Sequence, residues 1–178
     1  MDASNGYVLD DCCVFGVATF PSRSACKVGT LGAVKKDASR QYTWKIENFS
    51  SLQEYKLDSP IFTIDGISWI LDIYPKGDKR AEGKSISIFL KPKDHDDRRI
   101  SEDKVFAKYD FRIKNQLRNK DHRMFNNRGN WFDANTSGWG YIEFLPLKSL
   151  KDGSKGYLKN DELIIEVRIT DILRLKSI

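Results

Sequence analysis

Cysteine is scarce in this chain of 178 residues: there are three, and two of them, Cys12 and Cys13, are adjacent. That number cannot build the disulfide framework of a small secreted protein, and the pair lacks the Cys-x-x-Cys spacing of zinc or redox sites. A reducing compartment is expected, with Cys12-Cys13 part of a buried strand. Long apolar runs are missing too. None approaches the roughly 18 residues that span a bilayer, and Met1-Asp2-Ala3-Ser4-Asn5 does not open a signal sequence. The chain therefore reads as soluble and intracellular, cytoplasmic or nuclear, with no membrane contact. An excess of one charge is also lacking. Lys plus Arg number 30 against 25 Asp plus Glu, a net +5, with both signs interspersed. A nucleic-acid binder concentrates its cations in one run or stripe, whereas Lys91 to Arg99 carries Asp94, Asp96 and Asp97 as well and reads as a solvated hairpin loop.

Catalytic and metal-binding patterns are equally absent. His95 stands among aspartates, but Lys91, Lys93, Arg98 and Arg99 crowd them and the spacing of a calcium loop is missing. His122 lies in a polar stretch with no nucleophile motif near it, and no glycine loop is built to cradle phosphate. No enzyme, cofactor or metal is expected.

What is present is strand after strand. Tyr42, Trp44 and Ile46 alternate onto one face. Ile61 to Ile64 and Trp69 to Tyr74 flank an Asp65-Gly66 turn and predict a hairpin. Ser85 to Leu90 places Ile86, Ile88 and Leu90 inward, leaving Phe89 on the outer face with two serines. Val105 to Ile113 alternates again, whereas residues 115–130 read as a long polar loop. Trp131-Phe132 and Leu163 to Ile169 supply further strands, with a turn at Lys148 to Lys155. Proline interrupts no strand interior and helical periodicity is nearly absent. The fold class is all-β, an antiparallel β-sandwich of about eight strands.

The chain is organised around Ser137 to Leu147. Trp139 between Gly138 and Gly140 implies a tight bend holding the indole at a surface rim, followed by a strand. Alternation then puts Ile142 and Phe144 inward, with Tyr141 and Glu143 outward. Two neighbouring outward aromatics make either a binding surface or half-buried packing at a sheet edge. A second pattern concerns organisation. Residues 6–20 align without a gap on residues 156–170, Gly6 on Gly156, Tyr7 on Tyr157, Asp11 on Asp161 and Val17 on Val167. Residues 1–20 then read as the last strand of a truncated preceding repeat, 21–40 as a linker, 41–172 as the domain and 173–178 as a tail. The orphan strand would pair with a sandwich edge, exchange between two chains in self-association, or reflect a truncated gene product.

Six pieces together resemble the MATH (meprin and TRAF homology) domain: Tyr42 to Ser50, Phe62 to Trp69, Ile73 to Gly77, Ser85 to Leu90, Gly138 to Leu145 and Gly156 to Leu158. They occur in family order and spacing across about residues 41–172. The wording is most similar to plant proteins with tandem MATH domains, whose first copy ends much as Gly6 to Gly16 does. The resemblance implies a TRAF-like sandwich with a shallow groove for a short extended peptide of a partner protein. By position, its groove aromatics fall on Phe89, Tyr109, Trp131, Trp139 and Tyr141. Alternation exposes Phe89 and Tyr141 but places Tyr109 with Val105 and Phe111, so Tyr109 needs a strand edge or bulge to reach ligand. Relatives reading Ser/Thr-rich peptides carry a charged residue where Gly138 stands, so that ligand class does not transfer.

These readings imply a non-catalytic interaction module of roughly micromolar affinity, about 8 kcal/mol, acting as a recognition or scaffold unit, a ubiquitination adaptor. No BTB domain or heptad repeat follows, so ligase recruitment from within this chain is not expected. The alternatives are a remnant or paralogue of a MATH-containing deubiquitinating protease, or an electrostatic binder of nucleic acid or lipid whose binding would vanish near physiological salt.

Overall fold

Asp65 and Gly66 both reach positive φ, 51° and 70°. A two-residue hairpin connection needs that pair of left-handed residues. The turn joins β3 (Phe62–Ile64) to β4 (Ile67–Tyr74), with Ile64 opposite Ile67, as the sequence predicts. A computed structural model of the chain describes residues 40–93, 104–133, 136 and 138–175. The repeat copy at residues 6–20, Cys12-Cys13, the linker reading and the His95 cluster lie outside the described residues.

The remaining strands are β1 (Gln41–Ile46), β2 (Leu57–Asp58), β5 (Ser85–Pro92), β6 (Lys104–Ile113), β7 (His122–Phe132), β8 (Trp139–Pro146), β9 (Leu158–Lys159) and β10 (Glu162–Leu175). One sheet runs β1-β10-β6-β7, with β9 on β10; the other runs β2-β4-β5-β8, with β3 on β4. Two antiparallel four-strand paths thus make the expected eight-strand sandwich, and β3 and β9 are short additions. Its core forms where period-2 alternation turns apolar residues inward from both sheets. Leu71, Ile73, Ile88 and Leu90 of one sheet and Phe111, Ile113, Ile165 and Val167 of the other are completely buried.

Three expectations are corrected. Most of the predicted loop at residues 115–130 belongs to β7, eleven residues paired with β6. It reads as loop because it is an edge strand, largely polar, whose register shifts opposite Ala107 and Tyr109. Polarity and bulges are common devices at edges, and they erase the apolar alternation. The expected turn at Lys148 to Lys155 contains a short helix, α1 (Leu147–Lys151), which buries Leu150. The last strand passes a bulge between Ile169 and Asp171 and continues to Leu175, so Leu173–Leu175 belong to β10 rather than to a tail.

The outer faces of the two sheets differ. Across β10 and β6, Arg168 meets Asp110 at 2.6 Å, Arg112 meets Glu166 at 3.0 Å and Lys108 meets Asp171 at 3.1 Å. Cross-strand charge pairs of this kind support a sheet face. The outer face of β4, β5 and β8 instead carries aromatic residues beside a depression.

Candidate functional site

Strand alternation builds that depression. Phe89 stands on the outer face of β5, half-buried, between Asp72 of β4 and Gly140 of β8 in the strand register. Tyr74, two residues beyond Asp72 on the same face, meets Phe89 edge-on at 5.8 Å. Exposed Tyr55 meets Tyr74 edge-on at 5.2 Å, extending the aromatic row. The depression holds about 560 Å³ and is lined by Tyr74, Asp78, Arg80, Phe89, Trp139 and Ile142, among others. Gly140 opposite Phe89 is a requirement of close approach: a methyl group there would fall on the carbonyl oxygen of Ile88. Strand β8 ends the sheet path, and among the described residues β5 is its one strand neighbour.

Polar groups fix the floor and rim. Ser87 is fully buried; its Oγ accepts from the Asp78 N–H at 2.9 Å and donates to the Ile142 carbonyl at 2.5 Å. It thereby ties the turn after β4 to β8. The Asp78 carboxylate accepts from Arg80 Nε at 3.2 Å and Nη2 at 2.7 Å, which holds its carboxyl below the usual range. The Asp72 carboxylate lies between Lys56 at 2.9 Å and Lys91 at 3.1 Å. Burial nevertheless pushes its carboxyl up, against the pull of both ammonium groups.

Sequence reasoning placed two of its five aromatics at this depression, Phe89 and Trp139. Trp139 is 45% exposed, at the rim as expected, and its Nε1–H donates to the Trp131 carbonyl at 2.8 Å. That bond links β8 to β7 across the open side of the sandwich. The other three lie elsewhere. Tyr141 pairs with Ile88 and turns inward, 6.1 Å from Phe111 and 6.2 Å from Phe144 between ring centroids. The cause is an irregularity in β8: Tyr141 faces Ile88 and Leu145 faces Ile86, so β8 uses four residue steps where β5 uses two. Simple alternation fails there, and Ile142, expected inward, lines the depression instead. Tyr109 is 2% exposed, with its hydroxyl donating to Asn130 Oδ1 at 3.0 Å, and burial lifts its pKa. The neighbouring bulge lies in β7 and does not bring it out. Trp131 is exposed, but its ring rests 5.3 Å from Phe106 on the outer face of the other sheet. Sequence reasoning missed Tyr74, Asp78 and Arg80 as well. Tyr74 alone was within reach, since alternation with inward Ile73 already turns it outward.

His122 closes the same seam from β7, with Nε2 2.7 Å from the Phe144 carbonyl oxygen. Burial depresses its pKa, and that hydrogen bond opposes the shift only in part. With the folded pKa below the unfolded one, the unfolded chain binds more protons. The contribution is therefore complete above about pH 6.5, the unfolded value, and is lost as pH falls through the folded value. Urea denaturation should show stability declining below about pH 6.5 more steeply in the parent than in His122→Gln. Equal slopes would remove His122 from the account.

The fold falls in the TRAF-like class of β-sandwiches: it superposes on TRAF5 of Notothenia coriiceps with a TM-score of 0.54 at 16% identity, covering 74% of this chain and 73% of that one. A MATH domain model matches residues 41–169, and the chain belongs to the MATH domain family. It is 34% identical over 134 residues to the MATH domain and coiled-coil domain-containing protein At3g58260 of Arabidopsis thaliana, covering 75% of this chain and 41% of that protein. The corresponding figures for At3g58370, of the same description and species, are 36%, 77% and 41%. Ubiquitin C-terminal hydrolase 12 of Arabidopsis thaliana is 30% identical, over 72% of this chain and 11% of that protein. The chain thus spans about two fifths of the first two relatives. MATH and TRAF domains are protein-interaction modules. No helix among the described residues is long and apolar enough to cross a membrane.

Proposed function

We propose that this protein is a non-catalytic module that binds a short extended peptide of a partner protein in the depression beside β8. The observation that carries the reading is the juxtaposition of an aromatic-walled depression of about 560 Å³ with a sheet-ending strand. An extended peptide would add to the edge of β8 through backbone hydrogen bonds, and Phe89, Trp139 and Ile142 would take its alternate side chains. The pairing of cations on the opposite sheet favours this reading over a diffuse electrostatic binder. A relative named as a ubiquitin C-terminal hydrolase supports a role as a recognition or scaffold unit in the ubiquitin pathway.

A peptide array probed at physiological salt with the parent, Phe89→Ala and Trp139→Ala tests the reading. Peptides retained by the parent should bind each variant at least about tenfold more weakly, the loss typical of a central aromatic anchor. Thermal unfolding of the variants separates this from misfolding. Binding indifferent to both substitutions would refute the groove.

A further inference from the structure

A second, smaller cavity lies at the end of the sandwich where β8 finishes. It holds about 340 Å³, and Phe49, Leu52, Pro75, Leu147, Leu150 and Leu158 supply its apolar lining. Leu150 and Phe49 are buried core residues, so the floor is continuous with the packed interior. Two cations complete the lining, Lys76 from the turn after β4 and Lys151 from α1. Both are exposed, and neither forms an ion pair among the described residues. The neighbouring Asp152 carboxylate accepts from the N–H and Oγ of Ser154 at 3.0 and 2.6 Å and forms no ion pair with either lysine among the described residues. Trp139 stands opposite Leu90 and Pro146 opposite Ser85, five residue steps along β5 or roughly 16 Å at about 3.3 Å per residue, and the two linings share no residue, so this cavity is separate from the Trp139 rim of the first depression.

We infer that this cavity is a docking site for an acidic peptide carrying one apolar anchor residue flanked by Asp or Glu. The apolar lining provides burial for the anchor, and its volume lies at the small end of the ligand-pocket range, about 300–1,000 Å³. The unpaired ammonium groups supply complementary charge. Each ammonium can take one carboxylate, so Asp or Glu on either side of the anchor pairs both lysines from a single peptide. The inference does not depend on the groove at Phe89, and the two sites could be occupied by different segments of one partner, raising its effective concentration.

The test uses the full chain, labelled with nitrogen-15, titrated with a ten-residue peptide in which Leu and Phe alternate with Glu. Amide shifts should concentrate at Ser50, Lys76, Lys151 and Leu158. Lys76→Glu/Lys151→Glu should weaken binding by about tenfold or more, since both side chains are exposed and the reversal changes charge and little else. Trp139→Ala should leave the affinity unchanged. A control peptide with Ser in place of Leu and Phe should not bind. Shifts centred on Phe89 and Gly140, equal binding of the serine control, an affinity unmoved by the double reversal, or no shifts at millimolar peptide would each overturn the inference.

Discussion

Trp69→Ala is expected to lower the unfolding free energy by about 3–5 kcal/mol, the range for truncating a large buried aromatic. Domains of this kind have roughly 5–15 kcal/mol in total, so the variant should unfold at markedly lower denaturant and be partly unfolded at physiological temperature. The reason is position. Trp69 is completely buried in β4, facing Phe132 of β7 edge-on at 5.3 Å, so its indole joins the two sheets through the core. Among the described residues its Nε1 has no hydrogen-bond partner, so truncation sacrifices packing without giving up an indole bond there. Trp131→Ala is the matched control. That residue is 42% exposed, and its structural hydrogen bond is made by its carbonyl, which alanine keeps. A loss under about 1 kcal/mol is expected there. Urea unfolding of both variants checks the contrast, and comparable losses would mean that the sheets pack differently.

Gly140→Ala is expected to remove about 3 kcal/mol, at the upper end of overpacking effects, and to abolish peptide binding with it. The added methyl would meet the Ile88 carbonyl oxygen, the Phe89 Cα and the Ile88 carbonyl carbon, all backbone atoms that cannot swing aside. Relief requires β5 and β8 to separate at the pair that holds Phe89 against the depression. Gly66→Ala provides the comparison. A methyl group there meets nothing within 4 Å, and only the φ of +70° is unfavourable. The cost should stay near 1 kcal/mol, that of a left-handed residue carrying a Cβ. Equal melting temperatures for the two variants would contradict the close β5–β8 approach.

The sandwich was legible wherever one side of a strand is buried and the other is not. In β6 the sequence alternates Val105, Ala107, Tyr109, Phe111 and Ile113 against polar or partly exposed neighbours, and all five are buried. The same logic failed for β7, because an edge strand with a register shift leaves few apolar residues to alternate. It failed again in β8, where the irregularity between Tyr141 and Leu145 exchanges the faces of Tyr141 and Ile142. No local signal in Gly140-Tyr141-Ile142-Glu143 marks that shift, since the register is set by pairing with β5. Phe89 was found because its strand is regular, and Trp139 because two glycines mark the bend. Arg80 and Asp78 were beyond reach. Their place depends on a turn held by Ser87, a serine that alternation alone would leave in solvent.

The most direct test of the central claim is amide hydrogen exchange across β8, measured with and without a peptide selected on the array. Strand addition predicts that edge-facing amides of Trp139 to Phe144 gain protection, that the shifts centre on Phe89 and Ile142, and that Phe89→Ala abolishes both. Protection confined to β6, β7 and β10 near Phe106 and Trp131, or a bound peptide that leaves the β8 amides exchanging as before, would contradict it.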